Sequence, residues 1–589
     1  MKKPLDFYTS EKERFSVILS SLKKKLSVSS LLRLSVFLLT VFGIYFFFGN
    51  LNIVIPIVLA GLILFTFLVS KHNDLLYKKD KTIKFIGINQ LEIDVISGDL
   101  SKLSEGKEFL DPDHYFSYDI DLFGEGSFFQ FVNRTATKNG KQKLAKILAA
   151  NEIDHITDKQ EALKELAEKP EWRQDYLATA EMIRVDTDSE SILNWMKNYK
   201  FFVPKSFSFI PAIFSLISLL IFIGLSMDLI PFSVVLLWFF VGLSIVFFYV
   251  KKINDLYDKS NKVKSNFNQY HKLLDLIEKQ EYKAKNLVEK QNEIRSEKEK
   301  ASVIFKKFSK ILDAFDQRNN MIFGILGNGF LLWDLQQSFR IEKWLKKYHD
   351  KVEHWFDVIA YFDAQNSLAN YVFNHPEYIF PKILEEEKVI DSKELGHPLI
   401  NSKQRIDNDF TIAEKEFFII TGANMAGKST FLRTVSLSIV MSNIGLPVCS
   451  KKFLYHPIKL ITSMRTSDSL SKDESYFFSE LKRLKFIVDE ISKDRYFIVL
   501  DEILKGTNST DKAIGSKKFV IRLVNSGSTG IIATHDLSLC EIEKDLTQIR
   551  NKYFDAEIVD DELIFDYRLK QGICKNMNAS FLLKKMEIV

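Results

Sequence analysis

Phe417-Phe418-Ile419-Ile420-Thr421-Gly422-Ala423-Asn424-Met425-Ala426-Gly427-Lys428-Ser429-Thr430 is the stretch that decides how this chain is read. Four apolar residues in a row have the composition of a buried strand, and they run directly into GxxxxGK[ST]. The glycines let the loop wrap around phosphate groups with its backbone N–H groups pointing inward. The helix expected over Phe431 to Ile444 turns its positive N-terminus on the same charge. In that loop, Gly422 to Thr430, Lys428 is placed to reach the β- and γ-phosphates of ATP, and Ser429 to ligate Mg2+.

Two downstream strands complete the pattern. Tyr496-Phe497-Ile498-Val499-Leu500 ends in Asp501-Glu502. At the carboxyl end of a strand, Asp501 can hold the metal through water, while Glu502 can orient or deprotonate an attacking water. Acidic residues after a strand are common, and they carry weight here because a phosphate loop stands upstream in register. A third strand, Gly530 to Ala533, delivers Thr534-His535. His535 either hydrogen-bonds the γ-phosphate or its water, or caps the next helix.

Taken in order and spacing, TGANMAGKST, LDEILKGTNSTD and ATHD resemble the ATPase domain of the MutS family. The resemblance implies an α/β P-loop NTPase domain of the ABC/MutS kind at the C-terminus, with Glu502, His535 and Asn424 as the catalytic group. It also implies that Asn424 assists at the γ-phosphate and that Ser475, in Asp473-Glu474-Ser475-Tyr476-Phe477, reaches the nucleotide of an opposing subunit. On its own, Ser475 reads as a helix N-cap. Upstream, Asp121-Leu122-Phe123 and Asn133-Arg134-Thr135-Ala136-Thr137-Lys138-Asn139-Gly140 are similar to the start of the family's helical core. The chain departs from the family pattern at Ala423 for proline, Asn508 for serine and Lys512 for glycine. All three changes leave the phosphate and magnesium ligands in place.

Two pairs of charge-free apolar runs stand outside that domain: Leu34 to Phe48 with Ile53 to Val69, and Ser208 to Leu225 with Pro231 to Val250. Each run approaches or reaches the ~20 residues of a spanning helix. The members are separated by Gly49-Asn50-Leu51-Asn52 and Ser226-Met227-Asp228, so two helical hairpins and four transmembrane helices are expected. Many of the 51 phenylalanines fall in these runs. Lys23, Lys24, Lys25, Arg33, Lys71, Lys78, Lys79, Lys205, Lys251 and Lys252 flank the runs, and neither short turn has a Lys or Arg. The large segments are therefore expected on the cytoplasmic side of a multi-pass protein of the prokaryotic inner membrane. A long charged segment before the first run, with no small-residue cleavage site after it, argues against a signal peptide.

The expected organisation is a basic tail (1–33), hairpin one (34–70), a helical segment resembling the start of the MutS core (71–206), hairpin two (207–250), a helical core and lever region (251–380) and the ATPase domain (381–589). Helical spacing recurs in Gln142 to Ala150 and Lys159 to Ala167, and Lys283 to Lys300 reads as a solvated helix face. The cysteines Cys449, Cys540 and Cys574 are far apart, and the ten histidines form no ligand-spaced cluster, which argues against a structural zinc site or a disulfide scaffold and fits a reducing compartment. A net charge of +5 with interleaved signs does not advertise nucleic-acid binding. DNA as a partner, like the homodimer through the ATPase domains, comes from the resemblance alone. The first 70 residues leave no room for the family's mismatch-reading domain, and no further domain is expected after Phe581-Leu582-Leu583. The expected function is a membrane-anchored ATPase that couples nucleotide turnover to conformational change, with DNA and the lipid bilayer as partners. Two alternatives stay open: a nucleotide-gated membrane scaffold, and an ABC-type transporter, which lacks support from any LSGGQ-like signature.

Overall fold

The computed structural model describes residues 3–182, 189–295, 299–385, 388–423, 425–465, 476–559 and 562–574. It opens with two long helices, α1 (Pro4–Phe46) and α2 (Leu51–Ile96), folded back on each other as a hairpin. The stretch expected as a basic tail is the first part of α1. Its buried residues Tyr8, Phe15, Leu22 and Ser29 recur every seven positions, the spacing of a coiled-coil seam, with Leu26 between them. Helix α2 buries Thr82, Ile88, Asn89, Glu92 and Val95, and Phe15 stacks on Phe85 with ring centroids 4.3 Å apart. The distal part of the hairpin is apolar all round, with Leu39, Phe42, Leu62 and Ile63 exposed.

Short helices follow: α3 (Phe128–Val132), α4 (Lys138–Ala149), α5 (Ile156–Ala167), α6 (Pro170–Ala180) and α7 (Ser189–Lys197). The second hairpin is α8 (Ile210–Ser226) and α9 (Phe232–Lys279). Among the described residues three helices, α1, α2 and α9, are long and apolar enough to cross a membrane. The remaining expected span, Ser208 to Leu225, is α8, which is apolar but has only 17 residues, so four full spans reduce to three and a shorter one. After α10 (Lys285–Arg295) and α11 (Ala301–Asp316), an apolar helix that the hydropathy reading did not single out, α12 (Met321–Leu331), leads into α13 (Trp333–Asn374).

The 42-residue α13 is the spine of the helical region and packs on α4, α5, α7, α9 and α11. Asp363 fixes the segment that resembles the family's core start. Its carboxylate accepts from the Ala136 and Thr137 amides at 3.2 and 2.8 Å and from the Thr137 hydroxyl at 2.6 Å. The Thr137 hydroxyl in turn caps α4 by accepting from the Gly140 amide at 2.9 Å. Gly140 is needed because any Cβ there would collide with the Asp363 side chain.

The C-terminal domain has two sheets. The strands are β1 (Lys382–Ile383), β2 (Lys388–Leu395), β3 (Asn408–Ala413), β4 (Phe417–Gly422), β5 (Lys452–Tyr455), β6 (Lys459–Ser463), β7 (Tyr496–Asp501), β8 (Thr529–Ala533), β9 (Ile549–Val559) and β10 (Glu562–Gln571). A four-stranded sheet has the order β1-β5-β2-β3, and a six-stranded one β10-β9-β4-β8-β7-β6. From β9 to β6 the larger sheet is parallel, with β10 added antiparallel at one edge. Helices α14 (Lys428–Asn443), α15 (Tyr476–Ile491) and α16 (Ser509–Asn525) complete the domain. Strand β4 is buried along its whole length, as its uninterrupted apolar run requires of a central parallel strand.

Candidate nucleotide site

The carboxyl ends of β4, β7 and β8 are neighbours in the larger sheet, and ligands of open α/β sheets bind in the crevice outside such ends. A cleft of about 630 Å³ opens there, lined by the phosphate loop, Asp501, Glu502 and His535. The loop owes its shape to Gly422 and Gly427. Gly427 has φ 100°, in the left-handed region, and Gly422 lies so close to Phe554 that a Cβ would press on that residue's carbonyl oxygen.

Each motif delivers a side chain to this cleft. Lys428 at the start of α14 folds back, and its Nζ donates to the Gly422 and Ala423 carbonyls, each at 2.9 Å. Burial lowers its pKa, opposed by the nearby Asp501 and Glu502 carboxylates. Ser429 Oγ donates to Asp501 Oδ2 at 2.6 Å, which sets two hard oxygen donors side by side. His535 Nε2 lies 2.9 Å from Glu502 Oε1 and 3.3 Å from Lys428 Nζ. Contact with a carboxylate puts the proton on Nε2, so the approach of Lys428 is a packing contact and not a hydrogen bond. The His535 hydrogen bond outweighs burial and holds the Glu502 carboxyl down at about 2. Capping of the following turn falls to Asp536, which accepts from the Ser538 amide at 3.0 Å.

The structure thus brings together Lys428, Ser429, Asp501, Glu502 and His535. Asn424 and Ser475 lie outside the described residues. Among the described residues no group of three or more His, Cys, Asp or Glu gathers to hold a metal. A hard cation at Ser429 and Asp501 would therefore complete its shell with nucleotide oxygens and water, which is how magnesium is commonly held.

Two features of the site were not singled out in the sequence. Glu480 on α15 is buried, and its carboxylate accepts from the Leu504 amide at 2.6 Å and the Lys505 amide at 3.0 Å, holding the loop that follows Glu502. Tyr567 reaches the cleft from β10, where the pairing with β9 slips between Phe565 and Leu569. Such bulges re-aim side chains next to sites. The ring lies beside Gly427, and Asn408 pins the bulge by donating to the Tyr567 carbonyl at 3.0 Å and accepting from the Leu569 amide at 2.7 Å.

Residues 418–585 match MutS domain V. Over this stretch the chain is similar to the MutS family. It is 31% identical over 254 residues to the DNA mismatch repair protein MutS of Aquifex pyrophilus, covering 42% of this chain and 29% of that protein. It is 30% identical over 273 residues to the Finegoldia magna protein of the same name, covering 45% and 30%. The human MutS protein homolog 4 is 28% identical over 234 residues, covering 38% and 24%. The chain thus spans less than a third of the length of these MutS relatives.

Proposed function

We propose that this MutS-family chain is a membrane-anchored ATPase in which binding and hydrolysis of ATP drive a conformational change passed along α13 to the apolar hairpins. The observation that carries the reading is the convergence of Lys428, Ser429, Asp501, Glu502 and His535 in one cleft at the carboxyl ends of the sheet. Lys428 exchanges the Gly422 and Ala423 carbonyls for phosphate oxygens. Ser429 and Asp501 hold magnesium, which when bound neutralises the charge that develops on the transferred phosphoryl group. Glu502, kept ionised by His535, orients or deprotonates the attacking water. By resemblance, Asn424 assists at the γ-phosphate, and Ser475 completes the site of a second copy, so that two ATPase domains close over nucleotide as a homodimer.

Membrane anchoring is supported by three long apolar helices whose outer faces carry exposed residues such as Phe42, Ile63 and Phe248. Lysines and arginines flank the spans on the side of the ATPase domain, which favours a cytoplasmic site on a prokaryotic inner membrane. DNA is the proposed partner because the similar MutS proteins are named for DNA mismatch repair. A scaffold without nucleic acid is the second reading, favoured by the small net charge of +5.

The test is ATP hydrolysis and DNA binding by the full chain in detergent. Lys428→Ala should weaken ATP binding, and Glu502→Ala should keep ATP bound while arresting turnover. Equal rates for wild type and Glu502→Ala would remove Glu502 from its role. Binding to matched, mismatched, branched and single-stranded DNA is then followed across a salt series with and without ATP. Nucleotide-sensitive binding that weakens with salt supports the DNA machine. No binding by protein that hydrolyses ATP leaves the scaffold.

A further inference from the structure

Helix α12 lies in an uncharged run from Asn319 to Trp333. Arg318 at its start and Asp334 at its end form an ion pair, Nε to Oδ2 at 3.1 Å. Arg318 also donates to the Asn254 side chain at 2.7 Å, just past Lys251 and Lys252 at the end of the α9 span. The start of α12, beside Arg318, therefore sits where α9 meets the expected cytoplasmic surface.

The tip reaches far up the second hairpin. Phe330 packs on Phe222 of α8 and Phe239 of α9, with ring centroids 4.9 and 5.2 Å apart. Gly329 and Gly242 let the α12 and α9 backbones touch, since a Cβ on Gly242 would collide with the Gly329 carbonyl oxygen. Gly242 is twelve positions from Asn254 along one helix. That is about 18 Å at 1.5 Å per residue, roughly half of a ~30 Å hydrocarbon core.

Backbone polar groups at such depth need partners inside the protein. Ser218 Oγ donates to the Phe330 carbonyl at 2.7 Å and accepts from Trp238 Nε1 at 2.8 Å. Asn328 Oδ1 accepts from the Asp334 amide at 2.9 Å, and Asn320 caps the N-terminus of α12 by accepting from the Phe323 amide at 3.2 Å. The outward face is apolar instead of charged: Met321 and Ile322 are 77% and 72% exposed, followed by Ile325 and Leu326 one turn on. A helix facing water would present polar residues there.

We propose that α12 and the start of α13 form a re-entrant helical turn, embedded to about mid-depth and covered on the Met321, Ile322, Ile325 and Leu326 face by acyl chains of the cytoplasmic leaflet. The inference rests on the membrane reading above. Its consequence is that α13, which ends eight residues before β1, is rooted inside the leaflet.

The test uses single cysteines at Ile325 and Leu326, spin-labelled in the full chain and reconstituted in phosphatidylcholine–phosphatidylglycerol vesicles. Cysteines at Ile63 of α2 and at the exposed Ile514 of α16 serve as lipid and water references. The native Cys449, Cys540 and Cys574 are buried, and labelling of the unsubstituted protein sets the background. All four targets are surface positions, and retained ATP binding confirms that each variant folds. The expected result is an oxygen-to-nickel-chelate collision ratio at Ile325 and Leu326 that matches Ile63 and exceeds Ile514 several-fold. A water-like ratio at Ile325 and Leu326 beside a lipid-like ratio at Ile63 overturns the re-entrant turn and leaves the membrane anchor standing. Water-like ratios at Ile63 as well overturn both.

Discussion

His535 Nε2 stands 2.9 Å from Glu502 Oε1, and this contact, more than any other neighbour, sets the ionisation of Glu502. The carboxyl is held at about 2, below its ordinary 4.5. A depressed carboxyl pKa means that the contact stabilises the folded site fully above about pH 4.5 and is lost as pH falls toward 2. The acid limb of wild-type ATP turnover should therefore not arise from Glu502 above pH 4.5. In His535→Ala the Glu502 pKa returns toward the ordinary range, and the acid limb, measured against the variant's own plateau, should move upward. Coincident limbs would show that His535 does not control the protonation of Glu502.

Glu480 acts on the same residue through the backbone. Glu502 and Leu504 have φ of 51° and 59°, a left-handed conformation that costs non-glycine residues about 1–3 kcal/mol each. Glu480 offsets that strain by accepting from the Leu504 and Lys505 amides. Glu480→Ala leaves the buried Leu504 amide and the partly buried Lys505 amide without their acceptor and should destabilise the domain by about 1–3 kcal/mol. It should lower kcat far more than it raises KM, because the loop positions Glu502 and not the phosphates. Glu480→Gln keeps an acceptor and should recover most of kcat. A variant that changes KM alone would assign Glu480 to nucleotide binding instead.

What was legible in the sequence follows from which physical signals are local. The strand–loop–helix at Phe417 to Asn443 could be read because phosphate binding demands glycine, lysine and hydroxyl at fixed spacing. Helix α12 escaped because its apolar run is about half the length of a full span, so hydropathy alone gives it the look of a core helix. Its place beside the second hairpin shows only in three dimensions, through contacts such as those with Ser218 and Gly242. The role of Tyr567 depends on a register slip between β9 and β10, and no residue type in Phe565-Asp566-Tyr567-Arg568 announces one. By contrast, the first 33 residues did carry a readable signal. Tyr8, Phe15, Leu22 and Ser29 lie seven apart, a seam hidden by the dense charges around it.

Tyr567 forms a wall of the cleft next to Gly427, within reach of a bound nucleotide. If the ring stacks on the base, Tyr567→Ala should weaken ATP binding by about 1–3 kcal/mol, roughly five- to 150-fold in Kd. Tyr567→Phe should bind as wild type does, because stacking needs the ring and not the hydroxyl. Asn408→Ala, which frees the bulge but keeps the Tyr567 ring, should give a smaller loss in the same direction. Titration with a fluorescent ATP analogue measures all three, and unchanged affinity in Tyr567→Ala would exclude the ring from the base site.

The first hairpin is tied to the far end of α13 by one buried carboxylate. Glu92 of α2 accepts from Arg134 Nε at 2.6 Å and from the Asn370 and Asn374 side-chain amides, each at 2.9 Å. Tyr8 of α1 joins the cluster by donating to Asn374 at 2.7 Å. The Glu92 and Arg134 side chains are 3% and 5% exposed, so removing one partner strands a charge out of water. Arg134→Met should destabilise the protein by about 3–5 kcal/mol, read as a lowered melting temperature in detergent. Glu92→Gln/Arg134→Met removes both charges and should recover much of that loss, since the neutral amide keeps one oxygen to accept from Asn370. Additive losses in the double variant would mean that the two charges do not act as a pair. The knot would then hold α2 to α13 by packing alone.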